Sequence, residues 1–290
     1  MTVLAQTGPH ARAGVLIEAL PYMRAYRGTT IVVKIGGEAL QEERTAGLLA
    51  QDLTLLALVG VRLVVVHGGG PQLTTAMKAA GVEARFVDGL RVTDPESMQI
   101  VRQVLIGSIN SDLVGLLCAS GLSAIGLSGI DAGVLIGRRL LGSGGRSLGE
   151  VGSVEAVRSE VIESLLDAGH TPVLASVAAD ASGKPLNVNA DSVAGAIASA
   201  LGATKLVYLT NVEGLYRDLG DAGSLISEMT AKDLHSLLAS LSDGMQPKAR
   251  GAIEALGRGV QKVHILDGRV EHALLLEIFT NDGVGTQVLP

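Results

Sequence analysis

The chain of 290 residues contains no tryptophan, two phenylalanines, four tyrosines and a single cysteine. Because aromatic rings are so few, we do not expect a surface that stacks nucleic-acid bases. One cysteine, Cys118, cannot form a disulfide within the chain, which is typical of proteins in a reducing cytoplasm. We expect Cys118 to be a buried structural thiol.

Basic residues and long apolar runs are also scarce. The 23 lysines and arginines are outnumbered by 29 aspartates and glutamates, which gives a net charge of −6 and argues against a nucleic-acid partner. No uninterrupted apolar run approaches ~20 residues, the length of a membrane span, and the N-terminus has no signal-peptide pattern. These absences predict a cytoplasmic protein without a membrane partner.

Several catalytic and metal-binding patterns are missing as well. No cluster of histidine, cysteine and carboxylate residues has the spacing of metal ligands, so we expect no protein-held metal. The sequence contains no G-x-x-x-x-G-K-[ST] loop, no protein-kinase signature and no G-x-S-x-G elbow. P-loop enzymes are therefore excluded, and the other two classes lack their markers.

Glycine, in contrast, is abundant, with 38 residues against roughly 20 expected at about 7% usage. The stretch Ile31–Gly37, IVVKIGG, reads as a central parallel strand that ends in a lysine and two glycines. The stretch Leu63–Pro71, LVVVHGGGP, repeats the arrangement. Two such turns, each leading into a helix, predict an anion site at the carboxyl ends of the strands. For the first stretch alone, a surface lysine beside an ordinary turn is the alternative.

The alternation of strands and helices predicts an α/β fold with a mostly parallel sheet. Further strands are expected at Ala124–Leu127, Thr171–Ser176, Lys205–Thr210, Val263–Leu266 and Ala273–Phe279, and a β-hairpin or lid at 137–153. Helices are expected at Ala11–Tyr26 with a kink at Pro21, and at Thr45–Gly60, Pro95–Ser120, Val154–Ala168, Met229–Leu241 and Ala249–Gly257. The first helix precedes the first strand, so it is either a capping helix or an oligomerisation arm.

Individual polar residues add to the predicted anion site. Arg91 could clamp a carboxylate through two parallel hydrogen bonds or form a salt bridge at the rim. In Asn187–Asp191, NVNAD, Asn189 could cap a helix, and Asp191 could favour its positive end or organise lysines. Lys248 lies close to a helix N-terminus, where a cation is disfavoured unless an anion balances it. His67 is interpreted as structural rather than catalytic.

Six motifs occur in an order that resembles a known family: KIGG at 34–37, HGGG at 67–70, GLRVTD at 89–94, NVNAD at 187–191, LTNVEGLY at 209–216 and DGMQPK at 243–248. Together they resemble the acetylglutamate kinases of the amino-acid kinase family, from about residue 15 to the end. The resemblance implies a three-layer αβα sandwich with two lobes. Its domains would be an oligomerisation helix at 1–27, an amino-acid substrate lobe at 28–200 and a nucleotide-binding lobe at 201–290.

The resemblance also implies an activity, the ATP-dependent phosphorylation of the γ-carboxylate of N-acetyl-L-glutamate in arginine biosynthesis. Mg²⁺ would sit on the ATP phosphates. The catalytic residues would be Lys34, Lys248 and Asp191, with Asp191 holding both lysines. Substrate would be bound by Gly69, Gly70, Arg91 and Asn187, and the phosphates and nucleotide by Gly36, Gly37, Asn211, Gly214, Leu215, Tyr216 and Ser240–Ser242. The isoleucine of KIGG, where many relatives have leucine or an aromatic residue, changes no hydrogen-bond donor.

Two other functions compete with this one: a kinase for another acidic amino acid, such as aminoadipate, and a non-catalytic amino-acid sensor. Retention of Lys34, Asp191 and Lys248 together argues against the sensor. The segment at 14–28 is similar to the N-terminal helix of hexameric relatives that L-arginine inhibits. The resemblance places the arginine site at Tyr22, Arg217, His264, Glu277 and Gly283. A helix that merely packs on its own subunit is the alternative, and a nitrogen-signalling protein partner is left open.

Overall fold

The computed structural model describes residues 8–218, 221–242, 244–280 and 283–290. Most of the N-terminal lead and Asp243 of the DGMQPK motif therefore lie outside the described residues. The helices are α1 Pro9–Tyr26, α2 Glu43–Leu58, α3 Gly70–Ala79, α4 Pro95–Arg102, α5 Ser111–Ala119, α6 Ser159–Asp167, α7 Ala190–Ala200, α8 Ala231–Leu237, α9 Gln246–Gly257 and α10 Ala273–Phe279.

The strands are β1 Thr30–Ile35, β2 Arg62–His67, β3 Phe86–Val87, β4 Leu90–Arg91, β5 Ala124–Ser128, β6 Leu135–Leu141, β7 Ser147–Val157, β8 Thr171–Ala175, β9 Val177–Ala179, β10 Pro185–Val188, β11 Lys205–Thr210, β12 Leu215–Tyr216, β13 Leu225–Ile226, β14 Glu228–Thr230, β15 Lys262–Asp267 and β16 Thr286–Leu289. In the described part of the chain, eight of them form one sheet in the order β14-β16-β15-β11-β1-β2-β8-β5. Only the pairing of β15 with β16 is antiparallel. The predicted mostly parallel α/β sheet is confirmed.

Both faces of this sheet are covered, which makes the three predicted layers. Strand β1 sends Val32 to one hydrophobic cluster and Val33 to another, because successive side chains of a strand point to opposite faces. Helices α7 and α9 bury their apolar residues in the first cluster, and α2 and α5 bury theirs in the second. A central strand without a polar face is what the IVV run predicts.

The region from Leu135 to Val188 contains a feature that the sequence did not predict. Strands β6, β7, β9 and β10 close into a small barrel beside the main sheet. The predicted hairpin at 137–153 is present as β6 and β7, but β7 continues to Val157 because Ala156 and Val157 pair with Ile136 and Leu135. The prediction of a helix from Val154 was therefore wrong at its start, and α6 begins at Ser159.

The C-terminal assignments also need correction. Ala273–Phe279 is a helix rather than a strand. A short apolar run does not distinguish a buried strand from a buried helix, and here Leu274 and Ile278, four residues apart, share the core. The last strand is instead Thr286–Leu289. Met229 lies in strand β14, so the helix predicted from Met229 begins at Ala231.

The helical segment Pro95–Ala119 runs through α4, a π-helical stretch at Gln103–Asn110 and α5. Its length and composition alone meet the criterion for a membrane span, as the core helix of a globular protein can also do. Its buried residues Met98, Val101, Leu105 and Leu117 lie in the hydrophobic clusters. Cys118, one residue further along, faces outward and is exposed, so the prediction of a buried thiol was wrong.

Helix α1 continues through Pro21 without a break in its assignment. Its second half contacts the core through Ala19, Tyr22, Met23 and Tyr26. In contrast, Leu16 and Leu20 are 66% and 37% exposed, and Val15 and Ile17 beside Leu16 are 59% and 68% exposed. The first half of the helix therefore carries unpartnered apolar surface on this chain.

Candidate active site

The two glycine turns lie side by side at the carboxyl ends of β1 and β2. Ile35 and His67 are register partners in the two strands, so the glycines that follow them are adjacent. A Cβ atom on Gly37 would come within 3.1 Å of the Gly69 Cα, which is closer than ordinary van der Waals contact, so glycine favours this approach. The Gln72 Nε2 donates a hydrogen bond of 2.8 Å to the Gly37 carbonyl and ties the turns together.

The predicted donors in these turns are not equivalent. Gly37, Gly69 and Gly70 line one pocket, and Gly69 and Gly70 form the N-terminus of α3, where backbone N–H groups favour an anion. The Gly36 N–H instead donates to the Leu209 carbonyl at 3.2 Å. Gly36 therefore extends the sheet, and its role as a phosphate donor stays a prediction.

Three charged side chains meet beside the turns. The Lys34 Nζ lies 2.8 Å from Oδ1 of Asp191, and the Lys248 Nζ lies 3.3 Å from Oδ2. Lys34 projects from β1, Asp191 from the first turn of α7 and Lys248 from the first turn of α9. Elements far apart in the chain thus bring two cations to one carboxylate, as the sequence predicted.

Asp191 is held in place and kept ionised by its surroundings. Burial would raise the pKa of its carboxyl, but Lys34 and Lys248 outweigh that effect and the pKa is lowered. The Oδ1 of Asn189 caps α7 by accepting from the Asp191 N–H at 2.8 Å, as predicted. The Tyr208 hydroxyl, fully buried beneath the site, donates to the Asp191 carbonyl at 3.2 Å.

Arg91 and Asn187 line the same pocket, whose volume is about 230 Å³. The Asn187 Nδ2 donates to the Thr93 hydroxyl at 3.1 Å, which fixes the amide. No ion pair to Arg91 is recorded among the described residues, so a salt bridge at the rim is not supported. Lys34 and Asp191 also line this pocket, so their ion pair and Arg91 face the same cavity.

His67 supports the turns rather than the pocket. Its ring is fully buried, with Nε2 3.0 Å from the Asn110 Nδ2 and Nδ1 3.1 Å from the Gly68 carbonyl. Burial lowers its pKa to about 4, against the effect of its hydrogen bond with Gly68. The structural interpretation is supported by this environment, and Asn110 is a partner that the sequence did not reveal.

A second pocket, of about 490 Å³, begins at the residues that follow β11. Most of the residues predicted to surround a nucleotide line it. Gly214, Leu215 and Tyr216 line one wall, and Ser240 and Ser242 line the other. The Leu215 N–H donates to the Thr286 hydroxyl at 2.8 Å, so the missed strand β16 shapes this wall. Asn211 precedes the lining residue Val212 and does not itself line the pocket.

Comparison with known proteins agrees with this geometry. A family model described as the amino acid kinase family matches residues 29–267. The chain belongs to the amino acid kinase family. Among curated members, the acetylglutamate kinase of Frankia alni is 48% identical over 97% of this chain and 82% of its own length. The acetylglutamate kinase of Symbiobacterium thermophilum is 47% identical over 96% of this chain and 97% of its own.

Solved structures of amino acid kinases and their relatives share the fold. The N-acetylglutamate synthase of Neisseria gonorrhoeae, complexed with coenzyme A and N-acetyl-glutamate, superimposes with a TM-score of 0.87 at 31% identity. It covers 96% of this chain, whereas this chain spans 63% of the synthase. The carbamate kinase of Giardia lamblia bound to AMP-PNP has a TM-score of 0.62 at 15% identity, which supports the fold alone.

A third pocket of this amino acid kinase, of about 520 Å³, lies between α1, α10 and the sheet. It is lined by Tyr22, Glu277 and Gly283 of the predicted arginine site. His264 lies fully buried behind Glu277, 2.6 Å from its Oε1. Arg217, also predicted here, lines the second pocket instead.

The third pocket also has polar residues that the sequence did not single out. Lys205 is almost fully buried, and its Nζ lies 4.8 Å from the centroid of the Tyr26 ring. Lys262 donates to the Gln287 side chain at 3.2 Å. Burial is the main cause that lowers the pKa of Lys205, with Glu277 opposing it. The pocket thus combines a carboxylate, amino groups and the aromatic residues of α1.

Proposed function

We propose that this chain transfers the γ-phosphoryl group of ATP to the γ-carboxylate of N-acetyl-L-glutamate and forms N-acetyl-L-glutamyl 5-phosphate for arginine biosynthesis. The observation that carries this proposal is the arrangement of Lys34, Asp191 and Lys248 in contact, beside the glycine turns of the pocket that holds Arg91. The names of the curated relatives support the same substrate. The single cysteine supports a cytoplasmic location.

The chemistry needs little from the protein except positive charge in the right place. A carboxylate is already an anionic nucleophile and requires no general base, but phosphate oxygens repel it. Lys34 and Lys248 together carry two positive charges against the one negative charge of Asp191. The surplus positive charge, with N–H groups of the glycine turns, stabilises the charge on the transferring phosphoryl group.

Each of the two lobes would bind one of the two substrates. In the substrate lobe, 28–200, Arg91 binds the α-carboxylate and Asn187 binds the amide region. In the nucleotide lobe, 201–290, the pocket lined by Gly214, Tyr216 and Ser242 holds ATP. Mg²⁺ enters as part of the MgATP substrate, on the phosphate oxygens.

An acceptor screen tests the proposal. ATP consumption is coupled to a detection enzyme, with N-acetyl-L-glutamate, L-glutamate, aminoadipate, aspartate and UMP offered separately at equal concentration. We expect turnover with N-acetyl-L-glutamate at least tenfold above any other acceptor. Preferred turnover of aminoadipate would replace the substrate in the proposal, and binding without turnover of any acceptor would indicate a sensor.

Arg91→Lys should raise KM for N-acetyl-L-glutamate while KM for ATP changes little. Lysine keeps the charge but loses the planar fork that binds a carboxylate through two parallel hydrogen bonds. We expect a rise of roughly tenfold, the value of one charge-assisted hydrogen bond. Initial rates at varied concentrations of each substrate give both constants.

The matched control for this variant is Arg85→Lys. Arg85 is exposed and lies one residue before strand β3, next to the two-stranded ribbon that contains Arg91. We expect both of its KM values to equal those of the wild type. If Arg91→Lys changes KM for ATP and leaves that for the amino acid unchanged, Arg91 belongs to the nucleotide side.

We also propose that the chain forms a hexamer, a trimer of dimers, that L-arginine inhibits by binding in the third pocket. The support is the exposed apolar surface of Val15, Leu16 and Ile17 on α1, which would pair with the same helix of a second subunit. Glu277 would bind the guanidinium of the effector, and Tyr22 would contact it from α1. Helix α1 would then link assembly to inhibition.

Deletion of residues 1–26 should leave an active dimer that arginine no longer inhibits. Leu16→Asp should have the same effect with less disturbance, because Leu16 is 66% exposed on this chain. Light scattering reports the assembly, and an arginine titration of the activity reports inhibition. Glu18→Ala, on the same exposed half of α1, is the control and should stay hexameric. A Leu16→Asp enzyme that remains hexameric would contradict the proposal.

A further inference from the structure

The hydroxyl of Thr74 connects Arg91 to the second glycine turn. It accepts a hydrogen bond of 2.8 Å from the Arg91 Nη2 and donates one of 3.0 Å to the Gly70 carbonyl. The same Nη2 also donates to the Gly70 carbonyl, at 3.1 Å. Guanidinium, hydroxyl and carbonyl therefore form a closed set of three hydrogen bonds on the first turn of α3.

Two further contacts restrain the same guanidinium. Its carbon lies 4.7 Å from the centroid of the Phe86 ring, which is the neighbour of Arg91 across the ribbon of β3 and β4. Its Nη1 approaches the Met77 sulfur at 3.4 Å. Two of the three guanidinium nitrogens, Nη1 and Nη2, thus contact acceptors of the protein, and no protein acceptor for Nε is found within the described residues.

We propose that Thr74 is a positioning residue, which holds the Arg91 guanidinium in the orientation that binds the α-carboxylate of the amino-acid substrate. The proposal rests on the proposed function, which makes Arg91 the carboxylate-binding group. A free arginine side chain samples many rotamers, and fixing it before the substrate arrives lowers the entropy lost on binding. Thr74 also couples the orientation of Arg91 to that of Gly70, because its hydroxyl bonds to both residues.

The next residue provides an internal comparison. Thr75 is also exposed on α3, and its hydroxyl donates to the Pro71 carbonyl at 3.1 Å. Both threonines therefore make the same kind of hydrogen bond to the carbonyl four residues earlier. Only the hydroxyl of Thr74 contacts Arg91. Any difference between the two positions reports the contact with Arg91 rather than the helix.

The experiment compares Thr74→Val with Thr75→Val, since valine keeps the shape of threonine and removes only the hydroxyl. For Thr74→Val we expect KM for N-acetyl-L-glutamate to rise about three- to tenfold, the effect of one newly mobile side chain. The kcat, KM for ATP and the Tm should stay at the values of Thr75→Val. Thr74→Ser keeps a hydroxyl and should restore most of the affinity.

A double-mutant cycle with Arg91→Lys tests whether Thr74 affects KM through Arg91. If Thr74 acts through Arg91, Thr74→Val should add no further increase in KM to the Arg91→Lys enzyme. Equal KM values for Thr74→Val and Thr75→Val would overturn the proposal, as would full additivity in the cycle. A fall in kcat with unchanged KM would overturn it too.

Calorimetric binding of N-acetyl-L-glutamate separates this inference from the proposed function. If the wild type binds the acid but does not phosphorylate it, the proposed reaction fails, while a three- to tenfold weaker binding by Thr74→Val would still support the positioning role. If the wild type prefers another acidic amino acid, the same comparison is made with that acid. A wild type that binds none of them overturns both.

Discussion

Lys248→Ala should lower kcat by roughly 10²–10³-fold, the loss seen when one donor to a developing negative charge is removed. Lys248 lies in the first turn of α9, and its Nζ is 3.3 Å from Oδ2 of Asp191. In the proposed reaction, the contact of Lys248 with the transferring phosphoryl group would strengthen as charge develops on the equatorial oxygens. KM for N-acetyl-L-glutamate should change little, because the lost interaction is made mainly in the transition state.

Steady-state kinetics with Arg250→Ala as the control isolate this effect. Arg250 lies two residues further along α9 and is exposed, so its removal changes the charge of the same helix without touching the pocket. We expect Arg250→Ala to keep the wild-type kcat and Lys34→Ala to behave like Lys248→Ala. A Lys248→Ala enzyme with wild-type kcat would exclude Lys248 from the mechanism.

Asp191→Asn should affect both rate and stability. Without the carboxylate, Lys34 and Lys248 repel each other in a nearly buried position, and kcat should fall by roughly 10³-fold as their placement is lost. The free energy of unfolding should fall by about 3–5 kcal/mol, the usual effect of removing one partner of a buried ion pair.

The predicted difference in the free energy of unfolding should depend on pH, and it should be smaller at low pH. The pKa of Asp191 is lowered in the folded protein, so its stabilising contribution is present above its unfolded pKa of about 3.9 and is lost as the pH falls through the folded value. Urea unfolding should therefore show a gap between wild type and Asp191→Asn that is full at pH 7 and narrows below about pH 4.

Asp112→Asn is the matched control for the unfolding experiment. Asp112 lies on a helix, as Asp191 does, but it is exposed. It therefore reports the effect of removing a helical carboxylate that lacks the two lysines. If Asp112→Asn destabilises the protein as much as Asp191→Asn, the buried ion pairs are not the source of the effect.

The parts of the fold that the sequence predicted are those with a local cause. The apolar runs Ile31–Val33 and Leu63–Val66 form central strands because no polar residue interrupts them. Asn189 caps its helix because its side-chain oxygen reaches the next N–H groups. The resemblance of their motifs to the amino acid kinase family implied that Lys34, Asp191 and Lys248 lie together, and the structure brings them into contact.

The parts that were missed depend on partners distant in the chain. Val157 is extended because Leu135 pairs with it, and nothing near Val157 in the sequence indicates this. Ala273–Phe279 is helical because Leu274 and Ile278, four residues apart, both pack in the core. In a short segment in which most residues are apolar, this spacing cannot be recognised from the sequence. The hydrogen bonds of Gln72 and Thr74 follow from how α3 leaves the glycine turn, and no motif identifies them.

The position of β1 has a consequence for how the chain folds during synthesis. Strand β1 lies between β2, which follows it closely, and β11, whose Lys205 pairs with Ile31. One edge of β1 therefore stays unpaired on the ribosome until more than half of the chain has followed it. Exposed edges of this kind invite pairing with other chains, and such long-range parallel pairings form slowly. We expect chaperones to matter most in this interval, and slower translation before residue 205 to increase aggregation.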